Sequence, residues 1–451
     1  MTTTQSPLEH DRIPPSLGHP AAARFWIAAL LTGVCTGIGA IVLTRLLELV
    51  QHFAWPGSGL LDAASHATVQ RHVLVLLCAG VVTGVGQLIL RKLTSGNGID
   101  TTAAIWFYAG RMPPLRTLGS AVLSIIIVGM GASMGREGAP KQAGAIFANF
   151  FADKSRLSDE QRRLLVACAA GAGMGAAYGV PLGGAIFSLE VMRGLFALRY
   201  VMPAIVVSLV ATGISWLGLP DEPTYHIPSY PSTLSGAVFA ILAGPIAGVV
   251  SVGYIRMITW ADRAKPDGWW RLVAPVLALG LLGVVSIWYP QFLGNGRDVS
   301  QLAFAGLVPM TLLITLFLLK PAATGLCMAS GAPGGLFTPS LTVGAMLGGA
   351  LGHAWSLVWP GMPPGLGALL GASAVLAATT QGPISAVVLM MELTGRDRSF
   401  VLPMLIAVVS ATMVARTITP RSIYDARLTD EQFDERRRVR ELHTPQPVEV
   451  P

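Results

Sequence analysis

Charge is what this sequence has least of. Asp, Glu, Lys and Arg make up 12% of its 451 residues, whereas apolar residues make up 52%; a soluble domain carries about 25% charged residues. Histidine is scarce, and the four cysteines, Cys35, Cys78, Cys168 and Cys327, each stand alone in apolar sequence. Neither a metal spacing nor a disulfide framework follows, so the thiols read as buried and free. There is no HExxH element and no Walker lysine, which argues against zinc-hydrolase and phosphate-loop chemistry. The letters GxSxG do occur, at Gly131-Ala132-Ser133-Met134-Gly135. They follow a long apolar run, whereas a nucleophile elbow needs a strand, a turn and a helix; catalysis is not expected. The net charge of +7 comes without a basic stripe of interleaved aromatics, so nucleic acid is not an expected partner. In so apolar a chain the excess reads as loop orientation.

Long apolar runs are what is there. They cover 26–50, 73–90, 118–130, 234–255, 272–289 and 307–319. Crossing a hydrocarbon layer takes about 20 helical residues, which some of these reach. The shorter, Gly-rich stretches between them predict helices that enter a bilayer and stop, which is tolerable only inside a protein bundle. The expected class is an all-α polytopic membrane protein with the lipid bilayer as its partner. Residues 1–23 are polar, with no apolar core before Phe25, and are expected to be a cytoplasmic tail rather than a cleaved leader. Residues 426–451 are expected to be a second short tail.

Three blocks recur in order. Gly96-Asn97-Gly98-Ile99-Asp100 returns as Gly294-Asn295-Gly296-Arg297-Asp298; Gly131, Gly135 and Gly144 return as Gly331, Gly335 and Gly344; Pro181 and Glu190 return as Pro383 and Glu392. Ordered self-similarity of this kind marks a duplication, here of residues 24–220 and 221–425. Loop charge indicates that the copies are inverted. The link at 51–71 holds only Arg71, whereas its counterpart at 261–271 holds Arg263, Lys265 and Arg271. The link holding Arg91, Lys92, Arg111 and Arg116 is matched at 290–307 by Arg297 alone. Basic short loops stay in the cytoplasm, so equivalent loops face opposite sides and both termini are expected inside. Inverted repeats place their substrate at the mutual interface, on broken helices.

The breaks are Gly135-Arg136-Glu137-Gly138-Ala139-Pro140 and Gly331-Ala332-Pro333-Gly334-Gly335-Leu336-Phe337-Thr338-Pro339. Each opens an apolar run, and a helix N-terminus offers free N–H groups and a positive dipole end to an anion. A bare anion in low dielectric costs tens of kcal/mol; two such termini facing one another offset that without a full fixed charge, and conduction needs binding weak enough to release. The apolar Leu336 and Phe337 suit a halide. An ionisable group inside the membrane costs at least about 2.5 kcal/mol and is functional by default. Glu137 can fill an anion site when charged and leave it when protonated, which makes it a gate and a proton carrier; the structural alternative is an ion pair with Arg136 or Lys141. Glu190 and Glu392, at the ends of apolar runs, read as caps or cross-helix bonds, with a proton path through Glu190 as the sharper reading. Lys320 reads as snorkelling to the interface, and His353 as a satisfied core histidine.

These stretches resemble the signatures of the ClC chloride channel and antiporter family: a GREGP-type motif at 135–139, a GxFxP-type motif at 335–339 and a GSGIP-type motif at 96–100. The resemblance covers about residues 24 to 425 and is to bacterial members without C-terminal regulatory domains. It implies the ClC fold of two inverted repeats, a homodimer with one pore per subunit, the bacterial inner membrane, and bound chloride with no other cofactor. It implies that Glu137 is the gating glutamate, that the amides of Leu336 and Phe337 face the central anion, and that the Tyr424 hydroxyl helps to hold it. Asn97 takes the place of the usual pore serine, and Gly98, Arg136 and Gly138 complete the expected anion-binding set. Three departures follow: Asn97 and Asp100 replace the serine and proline of GSGIP, Ala139 replaces the proline of GREGP, and Val191 stands where well-studied bacterial antiporters carry an internal proton-relay glutamate. Chloride/proton exchange is the leading expectation, and a passive gated chloride channel is the alternative that Val191 favours. If Asn97 contacts the ion, Asn97→Ser shifts the nitrate/chloride permeability ratio; an unmoved ratio takes residue 97 out of the filter.

Overall fold

The computed structural model describes residues 20–93, 100–194, 196–395, 400–425 and 428–443. Its regular elements are helices. The first half runs α1 (Pro20–Ala54), a short α2 (Leu60–Ser65), α3 (Val69–Leu93), α4 (Thr101–Phe107), α5 (Pro114–Gly129), α6 (Gly138–Lys154), α7 (Asp159–Tyr178), α8 (Pro181–Phe187) continued by a π-helical turn at Ser188–Arg193, and α9 (Leu198–Ser215). The second runs α10 (Leu234–Arg263), α11 (Trp270–Val285), a 3-10 turn (Pro290–Phe292), α12 (Arg297–Phe304), α13 (Met310–Ala329), α14 (Phe337–Val358), α15 (Pro364–Thr380), α16 (Pro383–Thr394) and α17 (Val401–Ile418), and α18 (Asp430–His443) follows. With α2 and the 3-10 turn set aside, α10 to α17 repeat the order α1, α3 to α9. The packing repeats too: α1 lies on α9 as α10 lies on α17, and α6 on α7 as α14 on α15.

Seven of the described helices are long and apolar enough to cross a membrane. Several others are shorter, as the Gly-rich interruptions predict. The helix ends show why. Ser158 and Gln161 form a capping box that starts α7, Gly179 in the left-handed conformation (φ 70°) ends it, and Pro181 starts α8. A capping box satisfies the first amides, a left-handed residue closes the last turn, and proline is preorganised for a first turn. In the second half Gln381 takes the left-handed position (φ 59°) before Pro383. A non-glycine residue is costly there, and Arg416 holds it, with Nε 2.9 Å from the side-chain oxygen and Nη2 3.0 Å from the carbonyl.

Helices α7 and α15 are buried along nearly their whole lengths, which is the behaviour of helices apolar on every side. Small residues let the neighbours approach: a Cβ on Gly144 of α6 would lie 2.2 Å from the Ala169 carbonyl, and one on Gly344 of α14 would lie 2.4 Å from that of Gly371. By contrast α1 exposes Ile27, Leu30, Leu31, Ile38 and Val42, the side a bilayer would cover. Lys320 corrects the sequence reading. It does not snorkel: it is 1% exposed, and its Nζ donates to the carbonyls of Phe292 and Gly294 at 2.7 Å each. The 3-10 turn and the residues that follow it present these carbonyls to α13, so the ammonium is bonded rather than solvated.

The polar α18 turns Arg436 into the protein, 2% exposed. Its guanidinium pairs with Asp425, donates from Nη2 to the Val191 carbonyl at 3.1 Å and lies 5.0 Å over the Trp106 ring. Removing one partner of such a pair leaves a buried uncompensated charge, at a cost of about 3–5 kcal/mol. Arg436→Ala is therefore expected to lower the thermal midpoint of the detergent-purified protein. Arg436→Met combined with Asp425→Leu should recover most of the loss; a double variant as unstable as the single one would show that α18 is held by other contacts.

Candidate functional site

The two Gly-rich breaks meet at the centre. Gly135 N–H donates to the Gly335 carbonyl at 2.8 Å, and Gly335 N–H donates to the Gly135 carbonyl at 2.7 Å. This pairs equivalent residues of the two repeats and brings the first turns of α6 and α14 together. Glu137, the residue before α6, is 4% exposed. Its Oε1 accepts the Phe337 N–H at 2.6 Å, and its Oε2 accepts from Thr338 Oγ1 at 3.2 Å and from the Tyr178 hydroxyl at 3.5 Å. The carboxylate is thus an anion seated on the N-terminus of α14, on the amide expected to face a bound ion.

The cations flanking Glu137 are directed to aromatic rings. Arg136 lies 4.8 Å over the Tyr178 ring, and the Lys141 ammonium lies 4.6 Å over the Tyr424 ring. The groups hydrogen-bonded to the carboxylate, among the described residues, are neutral. Below it, Phe187 meets the Phe337 ring edge-on at 6.4 Å and the Tyr424 ring at 5.7 Å, so Tyr424 joins the cluster through Phe187. Gly138 packs against the Gly334-Gly335 backbone, and Leu336 is buried at the cap of α14. Asn97 and Gly98 lie outside the described residues. Asp100 is described: it caps α4, accepting the Thr102 N–H at 2.8 Å, a role that proline could not fill.

Cavities approach this centre from two faces. One, of about 760 Å³, is lined by Gly138, Gln142, Gly334, Arg116, Lys265 and Arg271. Another, of about 890 Å³, is lined by Arg136, Arg297 and His66, and beside it a smaller one of about 120 Å³ reaches Arg136, Arg297 and Tyr178. Helix α3 runs from the neighbourhood of the second to Arg91 at the first, so they open on opposite faces. They end on residues 136 and 138, and Glu137 stands between.

Glu190 and Glu392 form a reciprocal pair. Glu190 accepts the Ile384 and Ser385 amides of α16 at 3.1 and 2.6 Å; Glu392 accepts the Leu182 and Gly183 amides of α8 at 3.1 and 2.6 Å. Each carboxylate caps the other repeat's helix and complements its dipole. Ser133 Oγ lies 3.5 Å from Thr324 Oγ1, and His353 bonds the Val308 carbonyl at 3.1 Å, so the GxSxG letters do not bring these two together.

The family described as "Voltage gated chloride channel" matches residues 86–416. The chain belongs to the voltage-gated chloride channel (ClC) family. Among curated ClC proteins, it is 32% identical over 328 residues to the voltage-gated ClC-type chloride channel ClcB of Escherichia coli (strain K12 / DH10B), covering 70% of this chain and 76% of that one; the Shigella flexneri ClcB matches to the same extent. Among solved structures, a slow cyanobacterial Cl−/H+ antiporter superposes with a TM-score of 0.78 at 22% identity, covering 94% of this chain and 99% of that one. A CLC-type fluoride/proton antiporter gives 0.73 at 20% identity, covering 90% and 97%. The ClC fold, all-helical with inverted repeats, is that of the present chain.

Tyr178 and Thr338 were not legible as neighbours of Glu137. Thr338 sits inside the second break and could have been noted beside Phe337. Tyr178 carries no local signal, being 41 residues from Glu137 in sequence. The glycines set the close approach: a Cβ on Gly335 would lie 2.3 Å from Glu137 Oε1. Gly335→Ala is expected to push the carboxylate off the Phe337 amide, so that anion flux at neutral pH rises above wild type and depends less on pH. Wild-type flux and pH dependence in this variant would show that the carboxylate rests elsewhere.

Proposed function

We propose that the protein carries chloride across the membrane in exchange for protons, with Glu137 as both gate and proton carrier. The observation that carries this reading is the ending of opposite cavities on Arg136 and Gly138 with the buried Glu137 carboxylate between them. When charged, the carboxylate holds the Phe337 amide and the Thr338 hydroxyl and competes with chloride for them. When protonated, it gives up charge-assisted bonds of about twice the strength of neutral ones and leaves the amide to the anion. Leu336, Phe337 and Tyr424 then line the binding position, Arg136 and Gly138 border it, and Asn97 and Gly98 belong to the same anion-binding set. Arg136, Arg297, Lys265 and Arg271 gather anions in the cavities while leaving the centre without a full positive charge, which keeps release possible. The relatives named as chloride channels and Cl−/H+ antiporters support the substrate class.

The same reading makes the protein a homodimer of the bacterial inner membrane, with cytoplasmic tails at 1–23 and 426–451 and the repeats at 24–220 and 221–425. Loop charge supports the orientation. Glu190 serves as the cap of α16 rather than as a proton relay, since both its oxygens are engaged.

A specific observation favours a second reading, a passive gated channel. Val191 is buried and carries no proton, and its carbonyl is bonded by the permanently charged Arg436. Purified protein in chloride-loaded liposomes, with external chloride and pH recorded together, separates the two. Under exchange, chloride efflux drives proton uptake, and Glu137→Gln abolishes that uptake while chloride still moves. Wild-type efflux without proton movement would establish the channel. Unaltered pH dependence of flux in Glu137→Gln would remove Glu137 as the gate on either reading.

A further inference from the structure

The smaller cavity, lined by Arg136 and Arg297, ends on Tyr178. The Tyr178 ring closes that side of the carboxylate, and its hydroxyl lies 2.8 Å from Thr338 Oγ1, which in turn lies 3.2 Å from Glu137 Oε2. Two hydroxyls, each able to donate and accept at once, therefore stand in series between cavity and gate. The direct contact from Tyr178 to Glu137 is longer, at 3.5 Å, well beyond the roughly 2.5–3.0 Å of ordinary O–H···O bonds. The shorter route runs through Thr338.

We propose that Tyr178 and Thr338 form a two-hydroxyl bridge that delivers the proton from this cavity to Glu137. The proposal rests on the reading of Glu137 as a gate. A hydronium ion in the cavity gives its proton to the Tyr178 oxygen. Tyr178 passes its own proton to Thr338 Oγ1, and Thr338 passes its own to Glu137 Oε2. Only O–H bonds form and break: the hydronium becomes water, both hydroxyls end neutral, and the carboxylate becomes a carboxylic acid.

The charges around the bridge explain why one is needed. Arg136 stacks on the Tyr178 ring from the same loop as Glu137, Lys141 lies over the Tyr424 ring from the first turn of α6, and Arg297 lines the cavity from α12. These cations repel a free hydronium. Glu222 on the segment before α10 and Glu48 on α1, the latter paired with Arg45 at 2.7 Å, also line the cavity, as does His226; Tyr225 is buried beside Tyr178. Hydroxyl relay moves a proton past Arg136 without placing a whole cation beneath it.

The bridge makes proton delivery separable from anion passage. In the liposome assay Tyr178→Phe is expected to slow chloride-driven proton uptake by about tenfold or more while slowing chloride less, so that the chloride-to-proton ratio rises. Thr338→Val should do the same, and Thr338→Ser, which keeps the hydroxyl, should retain the wild-type ratio. A packing role alone would slow both ions together; an unchanged ratio in Tyr178→Phe overturns the bridge. If Glu137→Gln removes coupling while Tyr178→Phe keeps it, the gate stands and the bridge falls. If Glu137→Gln leaves proton movement intact, both fall. Should wild-type chloride move uncoupled, the bridge sets how fast an acid step on this face opens the gate, and an unchanged opening rate in Tyr178→Phe overturns it.

Discussion

The Glu137 carboxylate sits on the Phe337 amide at 2.6 Å, and the arrangement of the centre follows from that contact. A carboxylate out of water needs compensation, because the idealised cost of burying an unpaired ion runs to tens of kcal/mol. Compensation comes from an amide at the start of α14 and a hydroxyl next to it. The contact is possible because Gly135 and Gly335 pair backbone to backbone. A Cβ on either would intrude on the carboxylate, 2.1 Å from Oε1 in the first case and 2.3 Å in the second.

Reciprocity between the repeats supports this centre from further out. Glu190 caps α16 and Glu392 caps α8 through the same pair of amides at the same distances. Each repeat thus supplies the charge that the other's helix terminus needs. Helices α8 and α16 pack on one another, and α7 and α15, which precede them, are buried along nearly their whole lengths. The centre is thus flanked by buried, closely packed helices.

Cations are kept at a distance from the centre. Arg136 and Lys141 neighbour Glu137 but lie over Tyr178 and Tyr424, where the ring faces attract them. Arg297, Lys265 and Arg271 line the cavities instead. Full charges thus line the cavities, while an amide and hydroxyl dipoles hold the carboxylate at the centre. On one face α18 adds Arg436, pinned by Asp425 and the Val191 carbonyl.

Much of the fold was legible because its causes are local or periodic. Apolar run lengths marked the helices, glycine and proline marked the breaks, and recurring blocks with opposed loop charge indicated the inverted duplication. Glu137, Leu336, Phe337 and Tyr424 could be singled out as candidates because short motifs carry them. Contacts between distant segments were not legible. Lys320 reads as interfacial from its place at the end of a run, yet it is enclosed by the carbonyls of a turn far along the chain. Tyr178 stands in no motif and becomes Glu137's neighbour only because α7 ends beside the start of α14. A sequence records how often side chains recur and which turns the backbone can make. Which hydroxyl reaches a given carboxylate oxygen depends on how the two repeats dock, a matter of ångströms set by packing that no local pattern encodes.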